Sequence, residues 1–212
     1  MAAVMTAVLD IPYKVVLVAN PWRAMLPDAE LTDLLDGVAR ERAASIRQRY
    51  ASGEGPYDRG AMAFVLLDPT AVPQEYSEDT AMAYILIGDE AISFLPNAMA
   101  KACEQRDFGV GAGTLVYVQP HRLAGGSFLW GHSAVFEGQI VGSSGETQQD
   151  DRCEAGHLAV DFVWALGSTL GRWITEHRDG RDYRWLSTDN EPASRFTQLM
   201  SLRVLGTCGT ME

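Results

Sequence analysis

The stretch W130-GHSAVFEGQIVGSSGETQQDDRCEA-G156 decides how the rest of the chain is read. Two apolar runs flank Glu137-Gly138, a pair suited to a hairpin turn whose second residue sits at positive φ. The second run ends in Gly142-Ser143-Ser144-Gly145, where the backbone can bend sharply and approach another element closely. Thr147 can then cap a helix, with Asp150 and Asp151 facing the positive end of its dipole. Strand, turn, strand, glycine turn and helix follow one another within a single short segment. A small ligand or a neighbouring subunit can sit against such a turn.

The helix that starts near Thr147 runs to about His177 and is apolar over a wide face. Cys153, Val160, Val163, Leu170 and Ile174 form one stripe, and Ala155, Ala159, Phe162, Leu166 and Trp173 a second. Such breadth implies burial against the sheet and against another element, a subunit included. Gly156, Gly167 and Gly171 lower helix propensity but permit close approach of a packed neighbour.

Upstream, residues 14–19 form a short β-like run ended by Asn20-Pro21. Asp28 is placed to cap a helix over 29–50, with Leu31, Leu34, Leu35, Val38 and Ile46 at partly helical spacing. Arg40, Glu41, Arg42, Arg47 and Arg49 read as its solvated face. Residues 61–67 and 81–87 are strands, the first buried on both faces, joined by a polar loop over 68–80. Ile92, Leu95, Met99, Ala102 and Cys103 make a helical stripe, with a regular start near Pro96 and a stop at Gly109. Residues 114–118 read as a further strand. The predicted class is α+β: an antiparallel sheet with helices packed on it, in the order α-β-β-α-β-β-β-α.

Length and composition fit one domain over 1–212, with a core that needs no staples. The net charge of −11 argues against non-specific nucleic-acid binding. No run approaches the ~20 apolar residues of a membrane span, and the N-terminal residues lack the pattern of a signal peptide. Cys103, Cys153 and Cys208 are odd in number and scattered, so the first two read as small core residues of a reduced, cytoplasmic protein.

Gly131, Gly138, Val141, Gly142, Ser144, Gly145, Thr147, Asp151 and Ala155-Gly156 stand in an order that resembles the C-terminal half of the GlcG/HbpS-like haem-degrading domains. A second echo is A98-MAKACEQRDF-G109, similar to the family's Lys-Ala helix ending at an aromatic-glycine pair. The two echoes place a family-like core over about 29–171 and a C-terminal extension over about 180–212. The resemblance implies the same α+β architecture, a homo-oligomer, and haem as one possible ligand. It also implies a much shorter connection than the 68–80 loop, which is a departure suited to a lid or to a surface insertion.

Four histidines carry the chemistry the sequence offers. His132, at the mouth of the hairpin, suits haem iron ligation or proton transfer near neutral pH. His121 lies in a Pro-His-Arg loop whose Arg122 can hold a carboxylate or a haem propionate. His157 shares a helix face with Glu154 and Asp161, a pattern read as a salt-bridged polar face more than as a metal cluster. His177 complements a helix C-terminus. No nucleophile elbow, P-loop, dinucleotide fingerprint or zinc-protease motif is present.

Two readings lead, beside a third in which the protein is a purely structural oligomer. In the first the protein binds haem or a small acidic or planar metabolite, with Gly142, Ser144 and Gly145 shaping the pocket and His121, Arg122 or His132 contacting the ligand. In the second it is a cofactor-independent isomerase, lyase or cyclase of a biosynthetic pathway. There His132 moves a proton, Glu137 or Asp151 assists, and Arg122 anchors an acidic substrate. Neither reading involves nucleic acid or a membrane.

Overall fold

The computed structural model describes residues 12–53, 60–72, 80–109 and 132–177. Their elements, in chain order, are β1 (Tyr13–Leu17), α1 (Asp28–Ser52), β2 (Met62–Leu67), β3 (Ala81–Ile87), a single 3₁₀ turn (Ala91–Phe94), α2 (Leu95–Phe108), β4 (Ser133–Phe136), β5 (Gln139–Ser144) and α3 (Gln148–His177). The strands form one antiparallel sheet in the order β1-β3-β2-β5-β4. The α+β class predicted from the sequence is therefore the observed one. The described order has a strand ahead of α1, and the strand expected over 114–118 lies outside the described residues.

The sheet is sandwiched. Met62, Phe64 and Leu66 of β2 join Leu31, Leu35 and Ile46 of α1 and Ala155, Leu158, Ala159 and Phe162 of α3 in the larger core. The alternate residues Ala63, Val65 and Leu67 meet Ala98 and Ala102 of α2 on the opposite face. Every residue of β2 is buried. This explains its unbroken apolar run: successive side chains point to opposite faces, and both faces are covered.

Small residues set the spacing on the α2 side. A Cβ added to Gly142 of β5 would lie 2.1 Å from the Ala98 carbonyl oxygen and 2.9 Å from the Ala102 Cβ. Gly142 is thus required by close approach of a helix to a strand. Gly53 and Gly109 end α1 and α2 in the left-handed region, at φ 61° and 63°, as C-terminal glycines do. The β4–β5 turn has Glu137 at φ 47° and Gly138 at φ 84°, and Phe136 pairs with Gln139 across it. Both central residues are left-handed, the type I′ geometry that matches strand twist.

Several details differ from the sequence reading. Asp28 opens α1 without capping it; Pro27 stands at the cap position, and the Asp28 carboxylate instead receives Asn20 (2.9 Å) and Arg23 (2.8 Å). The arginine face of α1 is not wholly solvated. Arg42 and Arg49 reach Glu154 of α3 at 3.3 and 2.9 Å, and Arg42 also meets Asp161 at 3.2 Å. The Glu154 side chain is fully buried, so these bonds compensate its desolvation while clamping α1 to α3. Arg40, by contrast, forms an exposed pair with Asp36.

On α3 the second apolar stripe is the core stripe. Ala155, Ala159, Phe162 and Leu166 are buried, whereas Cys153 and Ile174 of the first stripe are exposed. Cys103 is half-buried. The reading of both cysteines as core residues therefore fails for Cys153. Of the three α3 glycines only Gly156 has a packed neighbour: a Cβ added there would lie 3.8 Å from the Ala134 Cβ, whereas Gly167 and Gly171 face open space. The base of the 68–80 loop is closed by the Asp68 N–H donating to the Thr80 carbonyl at 2.8 Å, and residues 73–79 lie outside the described residues.

Candidate functional site

The end of β5, the start of β4 and the first turns of α3 converge on a network of buried polar groups. At its centre Lys101, projecting from α2, donates to the Asp151 carboxylate at 2.6 Å and to the Ser143 carbonyl at 2.8 Å. Both side chains are almost wholly removed from water, at 0% and 2% exposure. Burial pushes the Lys101 ammonium below its ordinary range and the Asp151 carboxyl above its own, and in each case the partner's opposite charge works against the shift. Their short contact and the surrounding hydrogen bonds offset the cost of desolvating the pair.

The same carboxylate organises the turn between β5 and α3. Its second oxygen accepts the Glu146 N–H at 3.0 Å, and the Ser143 hydroxyl donates to the Asp151 main-chain carbonyl. Thr147 accepts the Asp150 N–H at 3.4 Å and bonds the Asp150 carboxylate, so it caps α3 as its position predicts. Gly145, at φ 154°, lies so close to β2 that a Cβ would sit 2.4 Å from the Ala61 carbonyl oxygen. The hydroxyl of Ser144 accepts from the Asn97 amide at 2.9 Å, and Ser133 donates to Gln105 at 3.1 Å. Two strands and two helices are thereby held to one geometry.

His132, immediately before β4, is half-buried beside this network. Burial is the main cause that holds its imidazole below the usual histidine range, reinforced by the positive charges of Arg152 and Lys101 and opposed by the nearby Gln148 side chain. The ring is therefore neutral at pH 7. Its Nδ1 atom is buried and has no hydrogen-bond partner among the described residues. A neutral imidazole can accept a proton or ligate a metal ion, and the nearby Arg152 favours an anion.

The structure brings together part of the residue set selected from sequence. His132, Asp151, Gly142, Ser144 and Gly145 share this corner of the fold. Gly142 and Gly145 act by letting backbones approach, and Ser144 is committed to Asn97. Glu137 is elsewhere: it sits exposed at the hairpin tip, at the far end of β4 from His132, roughly 16 Å away at the rise of a strand. It cannot assist His132 from there. His121 and Arg122 lie outside the described residues, as does the side chain of His177. His157 is exposed, 3.9 Å from Glu154, on the ion-paired face expected of it. Among the described residues no group of three or more His, Cys, Asp or Glu side chains is placed to hold a metal ion.

Sequence reasoning did not select Lys101, Gln148 or Arg152 as site residues. Lys101 had one signal: it is one of only two lysines in the chain, set among Ala98, Ala100 and Ala102 on a helix with a buried face. Gln148 and Arg152 had none, because their place beside His132 depends on how α3 docks on the hairpin. No protein-family model, curated protein or solved structure matches this chain.

Proposed function

We propose that the protein is a cytoplasmic small-ligand-binding protein, similar to the GlcG/HbpS-like haem-binding proteins, that takes haem or a small acidic or planar metabolite beside His132. The observation that carries this reading is the neutral, half-buried imidazole with a buried Nδ1 that no described residue satisfies. Buried polar atoms are paired in nearly all folded proteins, so an unpaired one calls for a partner, a bound group or an ordered water. Arg152 adds positive potential at that point in a protein of net charge −11, which supports an anionic ligand.

An imidazole at the edge of the sheet also suits haem iron. In that case His132 would contact the metal and Arg152 would meet a propionate. Bound haem would supply a redox-active, strongly absorbing iron centre. The lowered proton affinity of His132 favours a second reading as well, a cofactor-independent isomerase, lyase or cyclase in which His132 is the general base. Asp151 is then a positioning residue, since its carboxylate is committed to Lys101 and Glu146. In both readings the protein assembles with copies of itself.

Absorption spectra with and without haemin separate these readings. Wild-type protein should give a saturable Soret shift that His132→Ala abolishes and His157→Ala retains. A shift indifferent to His132→Ala would remove the iron contact from this residue. No shift at all would leave the metabolite and enzyme readings.

A further inference from the structure

The segment between β1 and α1 is tied into one shape by a single buried side chain. Asn20, 4% exposed, donates to the Leu26 carbonyl at 2.7 Å and to the Asp28 carboxylate at 2.9 Å, and its own amide oxygen accepts the Trp22 N–H at 2.9 Å. The Met25 and Leu26 N–H groups both return to the Trp22 carbonyl at 2.8 Å. The Trp22 ring is in turn packed on Phe162 of α3, with centroids 5.9 Å apart. A surface connection held this firmly forms a rigid wall.

That wall and the last turns of α3 border an open surface cleft of about 490 Å³, lined mostly by exposed side chains, within the size range of small-molecule sites. It lies roughly 30 Å along α3 from Arg152, at the rise of a helix, so it is separate from the His132 corner. Met25 and Trp173 give it an apolar side. Around them stand Glu30, Arg172 and Glu176. Arg23 also lines it but is committed to Asp28 at 2.8 Å. Glu30, Arg172 and Glu176 pair neither with one another nor with any other described residue. Among the described residues, the cleft therefore presents one guanidinium and two carboxylates without an ion-pair partner, and an indole, beside a preformed wall.

We propose that this cleft binds a small amphoteric molecule of the aromatic amino-acid type. The carboxylate of such a ligand pairs with Arg172, whose planar fork matches it. Its ammonium lies between Glu30 and Glu176. Its ring packs on Trp173 and against the Met25 thioether. A purely anionic ligand would meet two carboxylates without compensation, and a purely cationic one would leave Arg172 unused. The fixed wall lowers the ordering cost of binding.

Calorimetric titration of the full chain with L-phenylalanine tests this. Saturable binding is expected. N-acetyl-L-phenylalanine, which lacks the ammonium, and L-phenylalaninamide, which lacks the carboxylate, should each bind at least about tenfold more weakly, the loss of roughly one good charged contact. Arg172→Gln and Trp173→Leu should each weaken L-phenylalanine by a similar factor, and His132→Ala should leave it unchanged. No saturable heat at millimolar L-phenylalanine, blocked analogues that bind as well as L-phenylalanine, or affinity indifferent to Arg172→Gln would each overturn the assignment. Loss of binding in His132→Ala with retention in Arg172→Gln would move the ligand to the other corner. Failure of the haemin experiment has no bearing on this outcome, because the two sites share no residue.

Discussion

Lys101 and Asp151 meet at 2.6 Å although they come from helices on opposite faces of the sheet. The contact runs around the end of β5, where the Ser143 carbonyl takes a second bond from the same ammonium. One side chain from α2 thus fixes where α3 begins.

Removing either charge should be far worse than removing both. Lys101→Met leaves the Asp151 carboxylate buried without its cation, and a cost of about 3–5 kcal/mol is expected for such a change. Lys101→Met combined with Asp151→Leu should recover much of that loss. Urea unfolding of the two single variants and the double variant gives the comparison. Strict additivity of the two single effects would show that the pair is not coupled.

His132 should make stability depend on acidity in a definite direction. Its folded proton affinity is depressed by burial and by Arg152 and Lys101, so the unfolded chain binds the proton more readily. Stability from this group is therefore fully present above about pH 6.5, the unfolded value, and is lost as pH falls through the lower folded value. Between about pH 7.5 and pH 5, on either side of that value, the unfolding midpoint of wild type should fall further than that of His132→Asn. A variant whose acid loss parallels that of wild type would assign the loss to other groups.

Two glycine-to-alanine changes should act with opposite sign. At Gly142 the new methyl meets the Ala98 carbonyl oxygen at 2.1 Å, and overpacking of about 1–3 kcal/mol or more is expected. At Gly37, inside α1, nothing lies within 4 Å of the new Cβ. There the gain in helix propensity should stabilise the protein by roughly 0.5–1 kcal/mol. Thermal melts of the two variants decide both signs.

Self-association should depend on the outer face of α3. Trp164 and Ile174 are 68% and 56% exposed. Val160, Gly167 and Ile174 recur every seven residues, with Trp164 and Gly171 between them, and this is the spacing of a helix–helix seam. The open space over Gly167 and Gly171 leaves room for an indole from a second copy. Sedimentation at tens of micromolar, roughly the range in which a stable interface is populated, should show an oligomer that Trp164→Glu shifts toward monomer. Wild-type protein that sediments only as monomer would defeat self-association, and an unshifted variant would place the interface elsewhere.

Residues 81–87 were readable as a strand with their observed bounds, and 61–67 to within one residue at the start, because continuous apolar runs between turn signals have few alternatives. The hairpin turn, the Thr147 cap and the stop at Gly109 were equally local. They rest on backbone conformations that a few residues specify by themselves, so the sequence alone determined them, and with them the α+β class. Other features depend on which elements meet. Arg42 and Arg49 look like a solvated helix face until α3 brings a buried Glu154 against them. The need for Gly142 arises from the approach of α2, not from the turn it precedes. Lys101 becomes a buried ion-pair partner only because α2 lies over β5 while α3 starts at its end. Charge pairing and burial act through space between residues 50 to 112 positions apart, and only the tertiary structure sets those distances.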